Sequence, residues 1–176
     1  MKKLLIIATL SLVSSMAVAQ SAQTDAERTV VLRLNHLHES PTLSELEAIT
    51  PDARKIVERT ALSGSGLGQK HAIAVLARLK DQRAQDVLTA VLADPKTSEI
   101  TQHQLVLALV VNFGDRAIDV AATWLKSEDL QRRLTAIDAL GKIDTDLATG
   151  LLEKHLTSAK SKGERDAVES AIRRIR

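Results

Sequence analysis

His71-Ala72-Ile73-Ala74-Val75-Leu76-Ala77-Arg78-Leu79 returns 64 residues later as Thr135-Ala136-Ile137-Asp138-Ala139-Leu140-Gly141-Lys142-Ile143. Leu105 to Phe113 carries the same apolar rhythm about halfway between, and Ala171-Ile172-Arg173-Arg174-Ile175 repeats its second half 32 residues after Ala139. Apolar residues recur three and four apart in each copy, the period of an amphipathic helix. A second helical segment follows each of the first three copies. Arg83-Ala84-Gln85-Asp86-Val87-Leu88-Thr89-Ala90-Val91-Leu92 aligns with Arg116-Ala117-Ile118-Asp119-Val120-Ala121-Ala122-Thr123-Trp124-Leu125, 33 residues on. Leu147 to Leu156 follows after 31 more, and a segment ending at Leu62 precedes by 30. A helix pair recurring at this spacing predicts a stacked array, because one pair alone cannot bury its own apolar face.

Working outward, Thr24-Asp25-Ala26-Glu27 reads as a capping box opening a helix through about His38, with Val30, Leu34 and Leu37 on one face. Ser40-Pro41 and Thr50-Pro51 each place a capping side chain before a proline at the first helical position. They predict a short helix to Ile49 and a longer one to about Leu62. Ser63-Gly64-Ser65-Gly66-Leu67-Gly68 has alternate glycines but no preceding strand and no P-loop lysine, so it reads as an inter-helix turn. Asp81 and Asp115 stand where second helices should be capped. Near the C-terminus, Val168, Ile172 and Ile175 form an apolar stripe opposite Arg165, Glu169, Arg173 and Arg176. That pattern suits a closing helix with a polar outer face.

Arg132-Arg133-Leu134-Thr135-Ala136-Ile137-Asp138-Ala139-Leu140-Gly141-Lys142-Ile143 resembles the first helix of a HEAT repeat. Gly114-Asp115-Arg116-Ala117 and Lys80-Asp81-Gln82-Arg83-Ala84 resemble the inter-helix turn of the short bacterial HEAT-like repeats also found in phycobilisome lyases, and Asp94-Pro95 resembles the turn between repeats. The resemblance covers residues 51–176 and implies an all-α, α-α superhelix of about four helix pairs, preceded by a helical N-terminal extension over residues 20–50. Two departures stand out. The period is shorter than the roughly 40 of eukaryotic HEAT repeats, and Gly141 has Ala77, Val111 and Arg173 at its equivalents. A tetratricopeptide array would need aromatic residues at fixed places, and the chain has one Trp, one Phe and no Tyr.

Met1-Lys2-Lys3, the apolar run Leu4 to Val13, and Ala17-Val18-Ala19 before Gln20 have the three-part layout of a secretory signal peptide over residues 1–19, cleaved after Ala19. The run is too short to span a bilayer, which takes about 20 residues. Its style points to the periplasm, with secretion as the alternative. From Gln20 onward there are 22 basic and 22 acidic residues. This balance argues against a nucleic-acid partner, and so does the shortage of rings for base stacking. With no cysteine, disulfides and thiolate chemistry are excluded.

Catalytic patterns are absent, and no cofactor is implied. His36 and His38, beside Glu39, are two apart and would point to different sides of a helix, so no metal site is expected there. His155 occupies the slot of Val91 and Trp124, a core slot by periodicity, and Trp124 is expected to fill the core too. With Val87, Leu88 and Val91 inward, the second helices present Gln85, Asp86 and Thr89 outward. Ile118, Asp119, Ala122 and Thr123 follow in the next pair, then Thr149, Gly150 and Glu153. Repeat arrays expose such ridges on a concave face. The expectation is therefore a non-catalytic protein or peptide binder acting through Gln85, Asp86, Thr89, Asp119, Thr123, Thr149 and Glu153. Two alternatives stand beside it. One is a lyase-like activity, implied by the resemblance. The other is binding of anionic envelope material through Lys160, Lys162, Arg165, Arg173, Arg174 and Arg176.

Overall fold

The computed structural model describes residues 24–36 and 39–176. The expected leader, its cleavage site, Leu37 and His38 lie outside the described residues. The chain is all-α, with helices packed against one another and no strand among the described residues. It divides into two compact units, one up to Ala72 and one from Ile73.

In the first unit, α1 covers 24–34 and buries Val30 and Leu34 completely. Thr24, the expected cap, is itself helical. The helix also stops at 34, short of His38, where the Asn35 amide turns back to donate to the Val31 carbonyl at 2.8 Å. α2 (Leu43–Glu47) begins two residues later than Ser40-Pro41 predicts. The physical reason is a reciprocal capping box, in which Thr42 Oγ1 accepts from Glu45 N while Glu45 Oε2 accepts from Thr42 N at 2.7 Å. α3 (Ala53–Ser63) likewise starts after Pro51, with Thr50 Oγ1 accepting from Asp52 N at 3.3 Å. Its buried face is Ala53, Ile56, Val57 and Ala61.

α4 (Gly66–Leu79) begins inside the expected glycine-rich turn, leaving Gly64 and Ser65 as the connection. A Cβ on Gly64 would lie 2.3 Å from the Thr60 carbonyl oxygen, so this position excludes a side chain. His71 Nδ1 meets the Leu34 carbonyl at 2.8 Å, tying α4 to the end of α1.

In the second unit, α5 (Gln82–Ala93) is capped by Asp81, whose carboxylate accepts from Ala84 N at 2.8 Å, as the sequence predicts. α6 (Glu99–Phe113) runs into Gly114, at φ +57°, and a 3₁₀ turn over Gly114–Ala117. This turn overturns two expectations. Asp115 lies within it and does not cap α7 (Ile118–Leu125), which has Ala117 at its cap position. Ile118, expected to face outward, is buried.

α8 (Leu130–Leu140), α9 (Asp146–Leu156) and α10 (Lys162–Ile175) complete the unit. First-type helices pack in sequence, α6 on α8 and α8 on α10, while α7 packs on α8 and α9. Their shared core includes Val106 and Val110, Ala121 and Leu125, Ile137 and Leu140, Leu152, Val168 and Ile172. Each fully buried leucine there contributes roughly 1.5–3 kcal/mol of transfer free energy. Val168 and Ile172 are buried and Ile175 is partly covered, while Arg165, Glu169, Arg173 and Arg176 are exposed, matching the predicted stripes of the last helix.

Candidate functional site

The second helices of the C-terminal unit carry the expected ridge. Asp86, Thr89, Asp119, Thr123 and Glu153 are exposed, while Gln85 and Thr149 are half-buried. Several already have local partners. Gln85 Nε2 donates to the Arg116 carbonyl at 2.9 Å, and its Oε1 is buried with no partner. Gln85 therefore anchors α5 to the 3₁₀ turn, which Arg116 ties further by donating to the Lys80 carbonyl at 2.7 Å. Asp86 accepts from Gln82 at 2.8 Å, and the Thr123 hydroxyl donates to the Asp119 carbonyl at 2.8 Å. Glu153 accepts from Arg176 at 2.8 Å.

Where α7 lies beside α9, a cleft of about 390 Å³ opens at their C-terminal ends. Ala122, Leu125 and Leu151 supply its apolar surface, and Lys126, Lys154 and Lys160 supply its ammonium groups. None of the seven expected residues lines this cleft; Thr123 lines a neighbouring depression with Trp124, Lys126, Ser127 and Arg132. Lys160 is paired with Glu128 at 2.5 Å, and that hydrogen bond is the main cause holding the Glu128 carboxyl below its ordinary range. Lys126 and Lys154 are exposed and have no ion-pair partner among the described residues. Lys126 follows Leu125 and Lys154 follows Glu153, and both read in sequence as ordinary surface lysines, so periodicity alone does not single them out.

Arg133 and His155 also border the cleft, and behind them lies Glu164. Glu164 is 1% exposed and Arg133 4%. The pair is bidentate, with Arg133 Nε donating to Glu164 Oε1 at 2.6 Å and Nη2 donating to Oε2 at 3.0 Å. His155 Nε2 lies 2.8 Å from Oε1. A carboxylate only accepts, so this nitrogen carries the proton. Lys160 N adds a further bond to Oε2 at 3.1 Å. Arg133 Nη1 donates to the Ser127 and Glu128 carbonyls at 2.9 and 2.8 Å.

The guanidinium therefore joins α8, the turn before it and α10. Hydrogen bonding from Arg133 is the largest cause holding the Glu164 carboxyl at about 2, below its ordinary 4.5, against the opposing cost of burial. Glu164 in turn raises the Arg133 pKa. Sequence reading placed His155 in a core slot but missed both of its charged neighbours. A signal was present: Glu164 is four residues before Val168, and Arg133 is four before Ile137, so each charge lies on an apolar stripe.

Trp124 is buried in the core cluster, as its repeat slot predicts. The His103 ring meets it edge-on with centroids 5.0 Å apart, and the Arg132 guanidinium lies 5.3 Å over its face. His36 and Glu39 are exposed, and no group of three or more metal-binding side chains is gathered among the described residues. At the basic C-terminal end, Arg174 pairs with Asp138 at 3.2 Å, Arg176 with Glu153, and Arg173 donates to the Ser170 hydroxyl at 2.9 Å. No helix among the described residues is long and apolar enough to cross a membrane. A scan against protein-family models finds no match for this chain, and no curated protein matches it.

Proposed function

We propose that this chain is an exported, non-catalytic binding module of HEAT-like helix pairs, acting in the periplasm on a protein or peptide held against its second helices. One observation carries the reading. In the C-terminal unit the buried charges are committed to one another, whereas the second-helix face keeps exposed charges, Asp86, Asp119, Lys126 and Lys154, with no ion-pair partner among the described residues. Specificity on such a face comes from charge matching, and affinity from a few well-packed contacts.

His155 and Glu164 are the nearest approach to an acid–base couple, and their setting disfavours that role. A carboxyl held at about 2, with both oxygens occupied, stays ionised near neutral pH and has no free lone pair directed to a substrate. The lyase-like alternative gains nothing from this geometry. The reading of a basic C-terminal end for anionic envelope material is weakened by the acids already paired with Lys160, Arg174 and Arg176.

The test is the double reversal Asp86→Lys with Asp119→Lys in full-length protein recovered from the periplasmic fraction. It should lose its co-purifying partner while the circular-dichroism spectrum is unchanged and stability moves by no more than about 0.5 kcal/mol, as exposed substitutions do. Undiminished recovery of the partner would place the site away from this ridge.

A further inference from the structure

The cleft between α7 and α9 combines three features that select an occupant. Its apolar surface is small: Ala122, Leu125 and Leu151. Its volume, about 390 Å³, lies at the low end of ligand-binding pockets. Its rim carries the Lys126 ammonium just past the end of α7 and the Lys154 ammonium on α9, while the one acid at the rim, Glu128, is neutralised by Lys160. The deeper cation, Arg133, is balanced by Glu164. What remains is an apolar patch between two uncompensated positive charges.

We infer that this cleft docks an acidic peptide segment of the partner, one apolar side chain resting on Ala122, Leu125 and Leu151 and flanking carboxylates meeting Lys126 and Lys154. The inference rests on the reading of the chain as a binding module and names the chemistry of what it binds. Charge complementarity chooses acid over base, because a basic segment would face two ammoniums with no free carboxylate between them. Extent chooses a side chain over a lipid tail, since three aliphatic residues cannot cover a long acyl chain, whose remainder would stay in water. Chemistry chooses a peptide over a nucleic-acid strand. No Phe, Tyr or Trp lines the cleft, its one ring, His155, is buried and bonded to Glu164, and nearby Trp124 is 9% exposed with Arg132 over its face.

The test uses full-length protein and a fluorescein-labelled peptide in which a single leucine is flanked by aspartates in a glycine–serine background. Fluorescence anisotropy should show saturable binding that weakens as salt is raised through the screening range. Lys126→Glu with Lys154→Glu should weaken it at least tenfold, as should replacing the leucine by serine. Lys162→Glu with Arg165→Glu, which changes as much charge outside the cleft wall, should leave affinity within twofold. Both lysine positions are exposed, and an unchanged melting temperature will confirm that the variants are folded.

Equal losses in the two charge variants would mean a diffuse electrostatic attraction and would overturn the inference. So would retention of binding without the leucine, or tighter, lysine-dependent binding to phosphatidylglycerol vesicles than to the peptide. If the peptide fails to bind while Asp86→Lys with Asp119→Lys still removes the native partner, the named occupant is wrong and the module reading stands. If the peptide binds as stated but that double reversal removes nothing, the cleft stands and the ridge does not.

Discussion

Trp124 and His155 hold the same place in successive helix pairs, 31 residues apart, and each is 9% exposed. Their surroundings differ. Trp124 sits among apolar side chains with the His103 ring at its edge and Arg132 over its face. His155 points its Nε2 at a buried carboxylate that Arg133 grips with two bonds. The repeat therefore dictates that this slot is covered, and the helix that follows dictates its chemistry. After α7 comes α8, which brings the Arg132 guanidinium to the ring; α9 is followed by α10, which brings Glu164. One slot is held mainly by apolar packing and the other by an ionic network joining α8, α9 and α10.

The largest expected effect breaks the ionic side of this comparison. Glu164→Ala leaves the Arg133 guanidinium buried without its counter-ion, so urea denaturation should show a loss of about 3–5 kcal/mol. A loss below about 1 kcal/mol would mean the network does not hold α10 in place.

Trp124→Ala breaks the apolar side. Removing a buried indole should cost about 3 kcal/mol, and, unlike the loss of Glu164, the deficit should be nearly the same at about pH 4.5 and about pH 2.5. A deficit that changed strongly over that range would show that the two slots are electrostatically coupled.

Acid sharpens the contrast further. The Glu164 carboxyl is depressed in the folded chain to about 2 from its ordinary 4.5. Its contribution is fully present above pH 4.5 and is lost as pH falls through 2. The shift corresponds to on the order of 3 kcal/mol. Wild-type protein should lose this stability between those two values, and Glu164→Gln should lose much less over the same window. Parallel pH profiles for the two proteins would rule out Glu164 as the source.

The smallest effect concerns the packing that brings α10 to its place. A Cβ on Gly141 would lie 2.7 Å from Ala171 Cβ and 2.9 Å from Ala171 Cα. Gly141→Ala should therefore push α10 away and cost about 1–3 kcal/mol, as overpacking does. Pairing it with Ala171→Gly should restore part of the loss in thermal melts. If Gly141→Ala is neutral on its own, α10 has room that the structure does not show.

Helix identity was legible where spacing carried it. Ile137 and Leu140, or Val168 and Ile172, declare a buried stripe because the helical period puts them on one side. Boundaries were less legible, since local hydrogen bonds compete. Thr42 won over Ser40 because Glu45 could answer it across a capping box, and the 3₁₀ turn at Gly114–Ala117 displaced the start of α7. The site was legible only in part. Exposure of Asp86, Thr89, Asp119, Thr123 and Glu153 follows from periodicity. The Arg133–Glu164 pair joins residues 31 apart, so recognising it requires treating two charges on apolar stripes as partners. The cleft depends on how α7 lies along α9, a packing relation that no single segment encodes.

The central claim is that the second-helix face of the C-terminal unit is the binding surface. Amide chemical-shift mapping tests it directly: the full-length chain is labelled with nitrogen-15 and titrated with the aspartate-flanked leucine peptide. The account predicts shifts concentrated at Ala122, Leu125, Lys126, Leu151 and Lys154. Shifts concentrated instead on α8 and α10 around Leu134, Asp138, Ser170 and Arg174 would contradict it.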